Sequence, residues 1–270
     1  MGTYLSKLLR DVTFNTKQPD SNLYFENGLV VSDELNSALE ESDKLRLFNY
    51  ISHYNTPSPL GDLKVLPLSN EPLKEVTPLD PTPKLDIEFN TVAYKIKNYR
   101  GYLPISQEDV DDTGNAIEDV VLSMMTDKTI DTENYYIAEQ LKKAPQESLS
   151  RLEDIKDIIN TKMGQKTTDI QVVMSTTLYN EYDQNNLLDN VLGTISSREV
   201  IVLPDEVIAN AVGDKVAFVG DLHAYASFID RQRDTLRWVD NSLYGINLML
   251  MLRFDVVIND TNAGYYVTLD

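Results

Sequence analysis

The chain has 270 residues, no cysteine and a formal charge of −19, from 24 Lys plus Arg against 43 Asp plus Glu. Without cysteine there is no disulfide scaffold, thiol nucleophile, iron–sulfur cluster or cysteine-ligated zinc, and two histidines, His53 and His223, leave little for imidazole chemistry. The acidity argues against nucleic-acid binding by a broad basic surface, while a hydrophobic content of 42% is enough for a core and excludes global disorder.

Residues 1–31 keep no sustained period. Tyr4, Leu8, Leu9, Phe14, Tyr24 and Phe25 are spread irregularly among polar residues. This predicts an extended arm that needs a partner surface. No signal-like apolar run opens the chain. Gly2 followed by Ser6 fits only a loose myristoylation pattern that often arises by chance. Ser32 is placed as an N-cap, followed by Leu35, Ala38, Leu39 and Leu45 at helical spacing.

Seven of the 11 prolines fall between Pro57 and Pro83. Proline fixes φ and lacks a backbone donor, so this stretch is neither a helix nor a central strand. Leu60, Leu63, Val65, Leu66 and Leu68 keep it from being low-complexity. Two readings stand: a disordered linker, or a long arm, a hairpin with its tip near Asn70–Lys74, ordered against a neighbouring molecule.

Period-2 alternation over Leu85–Lys97 predicts strand, and Gly101–Pro104 is expected to turn the chain. An acidic run, Glu108–Asp112, leads into a long helix. Its apolar stripe comprises Ile117, Val120, Val121, Met124, Ile130, Ile137, Ala138 and Leu141. About 27 residues at 1.5 Å rise give a rod of about 40 Å. Lys142, Lys143 and Pro145 end it.

Beyond it the spacing predicts a helix over Glu147–Met163, with Leu149, Leu152, Ile155 and Ile159 on one face. A strand over Ile170–Met174 precedes a short helix capped at Ser175-Thr176-Thr177 and running through Tyr182. Strands follow at Val200–Leu203 and Val216–Val219. Tyr225–Ile229 and Leu236–Val239 pair as a hairpin about Arg233-Asp234, and strands close the chain at Ile246–Val257 and Tyr265–Leu269. The most apolar stretch, Leu243–Phe254, is too short to span a bilayer.

Chemical motifs are sparse. Asp109-Val110-Asp111-Asp112-Thr113-Gly114 begins like a calcium loop, but its twelfth position is Val120, not a bidentate Glu. The same carboxylates suit a helix start, where they meet the exposed N–H groups. Asp112-Thr113-Gly114 spells the aspartic-protease tripeptide once, ahead of a helix, whereas that chemistry needs two carboxylates sharing a proton. No nucleophile elbow, phosphate loop or dinucleotide fingerprint occurs. Trp238 reads as a strand packing residue.

The order of elements resembles the major capsid proteins of tailed bacteriophages, the Hong Kong 97 type fold. Four stretches carry the likeness. Phe89 through Val92-Ala93-Tyr94-Lys95-Ile96 to Tyr102-Leu103-Pro104-Ile105-Ser106-Gln107-Glu108 looks like the return strand of the family's extended loop entering its spine helix. Gln171–Tyr179 resembles its strand-then-helix unit. Gly220-Asp221 with Ala224-Tyr225-Ala226 and Asp230-Arg231, and Leu252–Val257 with Asn262-Ala263-Gly264-Tyr265-Tyr266-Val267, resemble its closing strands.

The resemblance implies an α+β fold with a long spine helix, mixed sheets, an extended β-hairpin loop and an N-terminal arm. It divides the chain into an N-terminal arm (1–31), a peripheral-domain helix region (32–56), the extended loop (57–91), the peripheral domain with the spine helix (92–148), an axial domain (149–240) and closing strands (241–270). It implies no enzyme and no cofactor or metal. The chain would self-assemble into hexamers and pentamers of an icosahedral head around double-stranded DNA, without sequence-specific binding. It would be located in the virion, assembled in the bacterial cytoplasm with no membrane. Because the chain begins almost at the arm, a separate scaffolding protein is expected, with portal and maturation factors as partners.

Inter-subunit contacts are expected at Leu63, Val65, Pro72, Leu73, Lys74 and Glu75 of the loop and at Phe14 and Tyr24 of the arm. Some relatives cross-link through a loop lysine. Lys64, Lys74 and Lys84 are available, and nothing in the sequence selects one. The alternatives are an encapsulin-type nanocompartment, and a metal-dependent enzyme built on Asp109, Asp111 and Asp112. In a shell around DNA, the −19 charge implies a wall that holds the polymer without adsorbing it. A net basic inward face would contradict this.

Overall fold

The structure is a computed structural model that describes residues 35, 37–66, 89–105, 116–189, 193–241 and 245–269. For residues 105, 116–119, 232–241 and 245–248 the backbone alone is described. The expected arm, the Ser32 cap, the loop tip and the acidic run Glu108–Asp112 lie outside these residues.

The organising element is the spine helix α1, Ala116–Leu141, 26 residues long and so about 39 Å. Ile130, Asn134, Ile137 and Leu141 are buried along one face, in steps of four, three and four residues that keep a helical stripe on the core, and Val121 and Met125 are buried nearer its N-terminus. Val120 and Met124, expected in that stripe, are 54% and 44% exposed. They lie outside that stripe.

Two sheets share the core with α1. One has four strands in the order β1-β9-β10-β4: Ser52–Asn55, Ala226–Asn241, Gly245–Ile258 and Lys97–Ile105. The other has five in the order β5-β11-β8-β6-β7: Gln146–Leu149, Gly264–Leu269, Lys215–Gly220, Gln171–Ser175 and Val200–Leu203. One apolar cluster joins Ile130, Ile137 and Leu141 of α1 to Leu250, Leu252 and Phe254 of β10 and to Val173, Ile201 and Phe218 of the five-stranded sheet. The far face of that sheet builds a second cluster, with Val172, Met174, Ala217, Val219 and Val267. β2, Leu60–Val65, and β3, Asn90–Lys95, form a separate two-stranded ribbon.

Several expected elements match. Ser175 caps the helix α3, Thr176–Gln184, by accepting from Leu178 N–H. β6, β7, β8, β10 and β11 lie where alternation placed them.

Three expectations fail. Gly101–Pro104 does not turn the chain. β4 runs through it, paired from Ile105↔Ile246 to Lys97↔Phe254. Pro104 is tolerated because β4 is an edge strand, where a missing donor breaks no ladder.

The helix expected over Glu147–Met163 is only half present. Gln146–Leu149 is β5, drawn into parallel pairing with β11, Tyr266↔Gln146 to Leu269↔Leu149. Helix resumes as α2, Asp154–Asp157, and continues as a π-helix over Ile158–Met163. Leu149, Leu152, Ile155 and Ile159 still all reach the second cluster. The helical spacing was therefore a true burial pattern, and an available sheet edge overrode the helical backbone at its start.

The hairpin expected about Arg233-Asp234 is one continuous strand, β9. From Asp230↔Phe254 to Thr235↔Met251, β9 advances five residues (230 to 235) and β10 three (254 to 251). The polar run Arg231–Asp234 thus holds two extra residues as bulges, which bend and twist a strand without ending it.

Candidate assembly surfaces

The β2–β3 ribbon is antiparallel, from Leu60↔Lys95 to Val65↔Asn90. Its root is pinned to the four-stranded sheet. Leu63, Val92 and Tyr94 pack on Ile96, Ile229 and Val257. Ile96 N–H donates to Pro59 O at 2.9 Å and Thr56 N–H to Asp230 O at 2.8 Å. Arg231 Nε, in the bulged segment, donates to Pro57 O at 3.2 Å. Asp255 of β10 stands where β3 passes into β4. It accepts Lys95 N–H at 2.9 Å and lies 3.2 Å from Lys97 Nζ. Opposite Tyr94 stands Gly61, where a Cβ would lie 2.7 Å from the Tyr94 hydroxyl. The tyrosine lies close over the glycine and donates to or accepts from Thr56 Oγ1 at 2.9 Å.

Apolar side chains are exposed at both ends of the ribbon, at Leu60 beside the root and at Leu66 and Phe89 just beyond the last strand pair. Leu60 is 63% exposed, Leu66 59% and Phe89 57%. Of the expected contact residues, Leu63 is half-buried at the root and Val65 is buried. Lys64 is exposed. Pro72, Leu73, Lys74, Glu75, Phe14 and Tyr24 lie outside the described residues, as do Lys74's alternatives for a cross-link at Lys84 and the candidate metal ligands Asp109, Asp111 and Asp112.

A second exposed surface is the outer side of α1. Val120, Met124 and Tyr135 lie within one arc of the helix. Asp127 and Asp131 share that arc and bind Lys44 at 3.6 and 2.7 Å. A third is β4, where Tyr102 is 72% exposed and Arg100 is exposed. The turn expected at Gly101–Pro104 concealed the strand that carries them.

The polar groups have structural work. Ser52 Oγ donates to His223 O at 3.0 Å and lies 3.0 Å from His223 Nδ1. His53 packs on Phe48, with ring centroids 5.1 Å apart. Asp205 opens the short helix α4, Asp205–Ile208, and accepts Thr177 N–H and Oγ1 and Gly213 N–H. Among the described residues no group of three or more His, Asp and Glu is placed to hold a metal ion. Among them, too, no helix is long and apolar enough to cross a membrane.

No protein-family profile matches the chain, and no curated protein matches its sequence. Solved structures do. A virus-like particle from Pyrococcus furiosus superposes with a TM-score of 0.61 at 11% identity, covering 87% of this chain and 96% of that one. The capsid of an empty GTA particle gives 0.58 at 14% identity, covering 84% and 93%. The mature capsid of bacteriophage PhiM1 gives 0.56 at 8% identity, covering 84% and 88%. The chain therefore has the Hong Kong 97 type fold of tailed-phage capsid proteins, as the order of its elements implied.

Proposed function

We propose that this chain is the structural protein of a shell, self-assembling into hexamers and pentamers of an icosahedral phage head that encloses double-stranded DNA. The observation that carries this reading is the ribbon. A two-stranded ribbon with Leu60, Leu66 and Phe89 exposed is marginal alone in water. It becomes stable when those side chains are buried on a neighbour. Each fully buried Leu or Phe contributes about 1.5–3 kcal/mol.

On this reading residues 57–91 form the extended loop, 1–31 the arm, 32–56 and 92–148 the peripheral domain, 149–240 the axial domain and 241–270 the closing strands. Leu63, Val65, Pro72, Leu73, Lys74, Glu75, Phe14 and Tyr24 are the proposed contacts between copies. A separate scaffolding protein, a portal and maturation factors complete assembly in the bacterial cytoplasm. No catalytic step or cofactor is assigned to the chain.

Sedimentation and electron microscopy of the purified chain, with and without a scaffold, test the reading. Closed particles are the expected result. A monomer at every concentration would count decisively against it.

A second reading, an encapsulin-type compartment, is favoured by the likeness to the Pyrococcus furiosus particle. The contents of isolated particles discriminate: packaged DNA for a phage head, a cargo protein for a compartment.

A further inference from the structure

β4, Lys97–Ile105, ends the four-stranded sheet, and among the described residues no strand pairs with its outer edge. Its pairing with β10 runs from Lys97↔Phe254 to Ile105↔Ile246 without a register shift, so residues alternate strictly along it. Tyr99 and Leu103 pack on the core cluster. Asn98, Arg100, Tyr102 and Pro104 belong to the other set, and all four are exposed. Proline on an edge strand turns its donor-less nitrogen away from the ladder. In an antiparallel pair every second residue bonds the same neighbour. Asn98, Arg100 and Tyr102 therefore turn their N–H and C=O outward with Pro104.

Gly101 stands at the middle of this strand, where its own fold does not require a glycine. It has no positive φ, the ladder has no bulge beside it, and a Cβ would meet nothing within 4 Å. A strand glycine without those reasons marks the close approach of another backbone.

We propose that β4 pairs antiparallel with β4 of a second copy across a two-fold axis at Gly101, joining two four-stranded sheets edge to edge. A two-fold contact must be self-complementary, and the full-length register of this strand meets that demand. Gly101 faces the partner's Gly101 as a non-hydrogen-bonded pair, with Cα atoms about 4.5 Å apart. Arg100 faces the partner's Tyr102 and Tyr102 the partner's Arg100, two cation–π contacts on the exposed side. Tyr99 faces the partner's Leu103 on the core side. An axis at Arg100 would instead set two guanidinium groups directly opposite. The outward groups supply about six hydrogen bonds, since Pro104 withholds one donor at each end. A single strand pair is a small contact, so the free dimer is weak. It closes at two copies, unlike the head-to-tail contacts that build rings. The inference does not depend on the shell reading.

The chain has no cysteine, so one introduced thiol tests the contact. Gly101→Cys in the full-length chain, mildly oxidised, should give a disulfide-linked dimer on a non-reducing gel, because the facing Cα atoms stand at disulfide distance. Asn98→Cys, exposed on the same strand, should stay monomeric, since in this register its two copies lie about 20 Å apart. Tyr102→Pro breaks no bond to β10, and should cut the Gly101→Cys dimer yield at least about tenfold by removing two hydrogen bonds per dimer. Tyr102→Ala should weaken self-association about 5- to 30-fold in sedimentation equilibrium, through two lost cation–π contacts. Circular dichroism checks that each variant is folded.

Absence of the Gly101→Cys dimer overturns the proposal. An equal yield from Asn98→Cys does so too, as it would report random collision, and so does an unchanged yield with Tyr102→Pro. If Tyr102→Pro lowers the thermal midpoint of a chain that forms no Gly101→Cys dimer, the edge is covered by the chain's own N-terminal segment and the proposal falls. A disulfide-linked dimer in a chain that never forms particles would sink the shell reading alone. Particles that form without it would sink this contact alone.

Discussion

Arg46 grips Glu133 through two hydrogen bonds, Nε to Oε2 at 2.5 Å and Nη2 to Oε1 at 2.7 Å, across 87 residues of sequence. Both side chains are nearly buried, at 13% and 5% exposure. Next to them Asn134 accepts Leu47 N–H and donates to Leu45 O, each at 2.8 Å. One turn of the spine helix thus satisfies the irregular backbone of residues 45–47. That segment leads through a 3₁₀ turn, Leu47–Tyr50, into β1 and on to the ribbon, so the pair ties the ribbon's base to the rod.

Removing one partner strands the other charge. Glu133→Gln and Arg46→Ala are each expected to cost about 3–5 kcal/mol, and Arg46→Met with Glu133→Leu together much less. Urea denaturation of the four proteins measures this. Equal losses for the double and single variants would refute a buried-charge penalty.

Gly264 pairs across the five-stranded sheet with Gly220. A Cβ at Gly264 would lie 2.2 Å from the Phe218 ring, which is fully buried. Gly264→Ala should destabilise by about 1–3 kcal/mol through overpacking. Coupling it to Phe218→Leu should recover part of that loss, as read by the thermal midpoint.

Ser196 and Ser197 both have positive φ, 51° and 61°, between the bridged residues Ile195 and Arg198. Two successive left-handed residues suit a type I′ turn, for which Asn-Gly is preferred. Ser196→Asn with Ser197→Gly should stabilise the chain by about 1 kcal/mol. A drop in the denaturation midpoint would show that the serines serve another purpose.

Two sets of groups set the pH limits. Desolvation pushes the Asp205 carboxyl up, but hydrogen bonds from Thr177, Gly213 and Thr176 outweigh it and hold it below the ordinary carboxylate value. Its contribution is present above the unfolded value of about 3.9 and is lost as pH falls through the lower folded value. Asp205→Ala should therefore be weaker than wild type at pH 7, with the gap closing as pH falls below the ordinary carboxylate range. On the alkaline side, burial pushes the Tyr266 phenol up to about 12, with Asp214 and Glu139 adding to it. Burial also raises Tyr182 and Tyr225. Such groups stabilise fully below the unfolded value of about 10 and lose that contribution as pH rises toward the folded values. Denaturation midpoints should hold between pH 5 and 9 and fall at both ends.

Local chemistry settled the long helix, the Ser175 cap and most strands, because periodic burial and capping are written into a few neighbouring residues. It also settled that no cysteine chemistry is possible. The partners of each strand depended on distant segments. Gly101–Pro104 looks like a turn until β10 lies beside it, and Glu147–Leu149 follows a helical spacing until β11 offers an edge. Arg231–Asp234 has the polarity of a hairpin loop, yet β10 on one side and Pro57 on the other hold it as bulged strand. The net charge of −19 was fixed by composition alone. Which residues share a face of the four-stranded sheet was decided only when strands far apart in sequence met in register, since the alternation of a sheet is a property of paired strands.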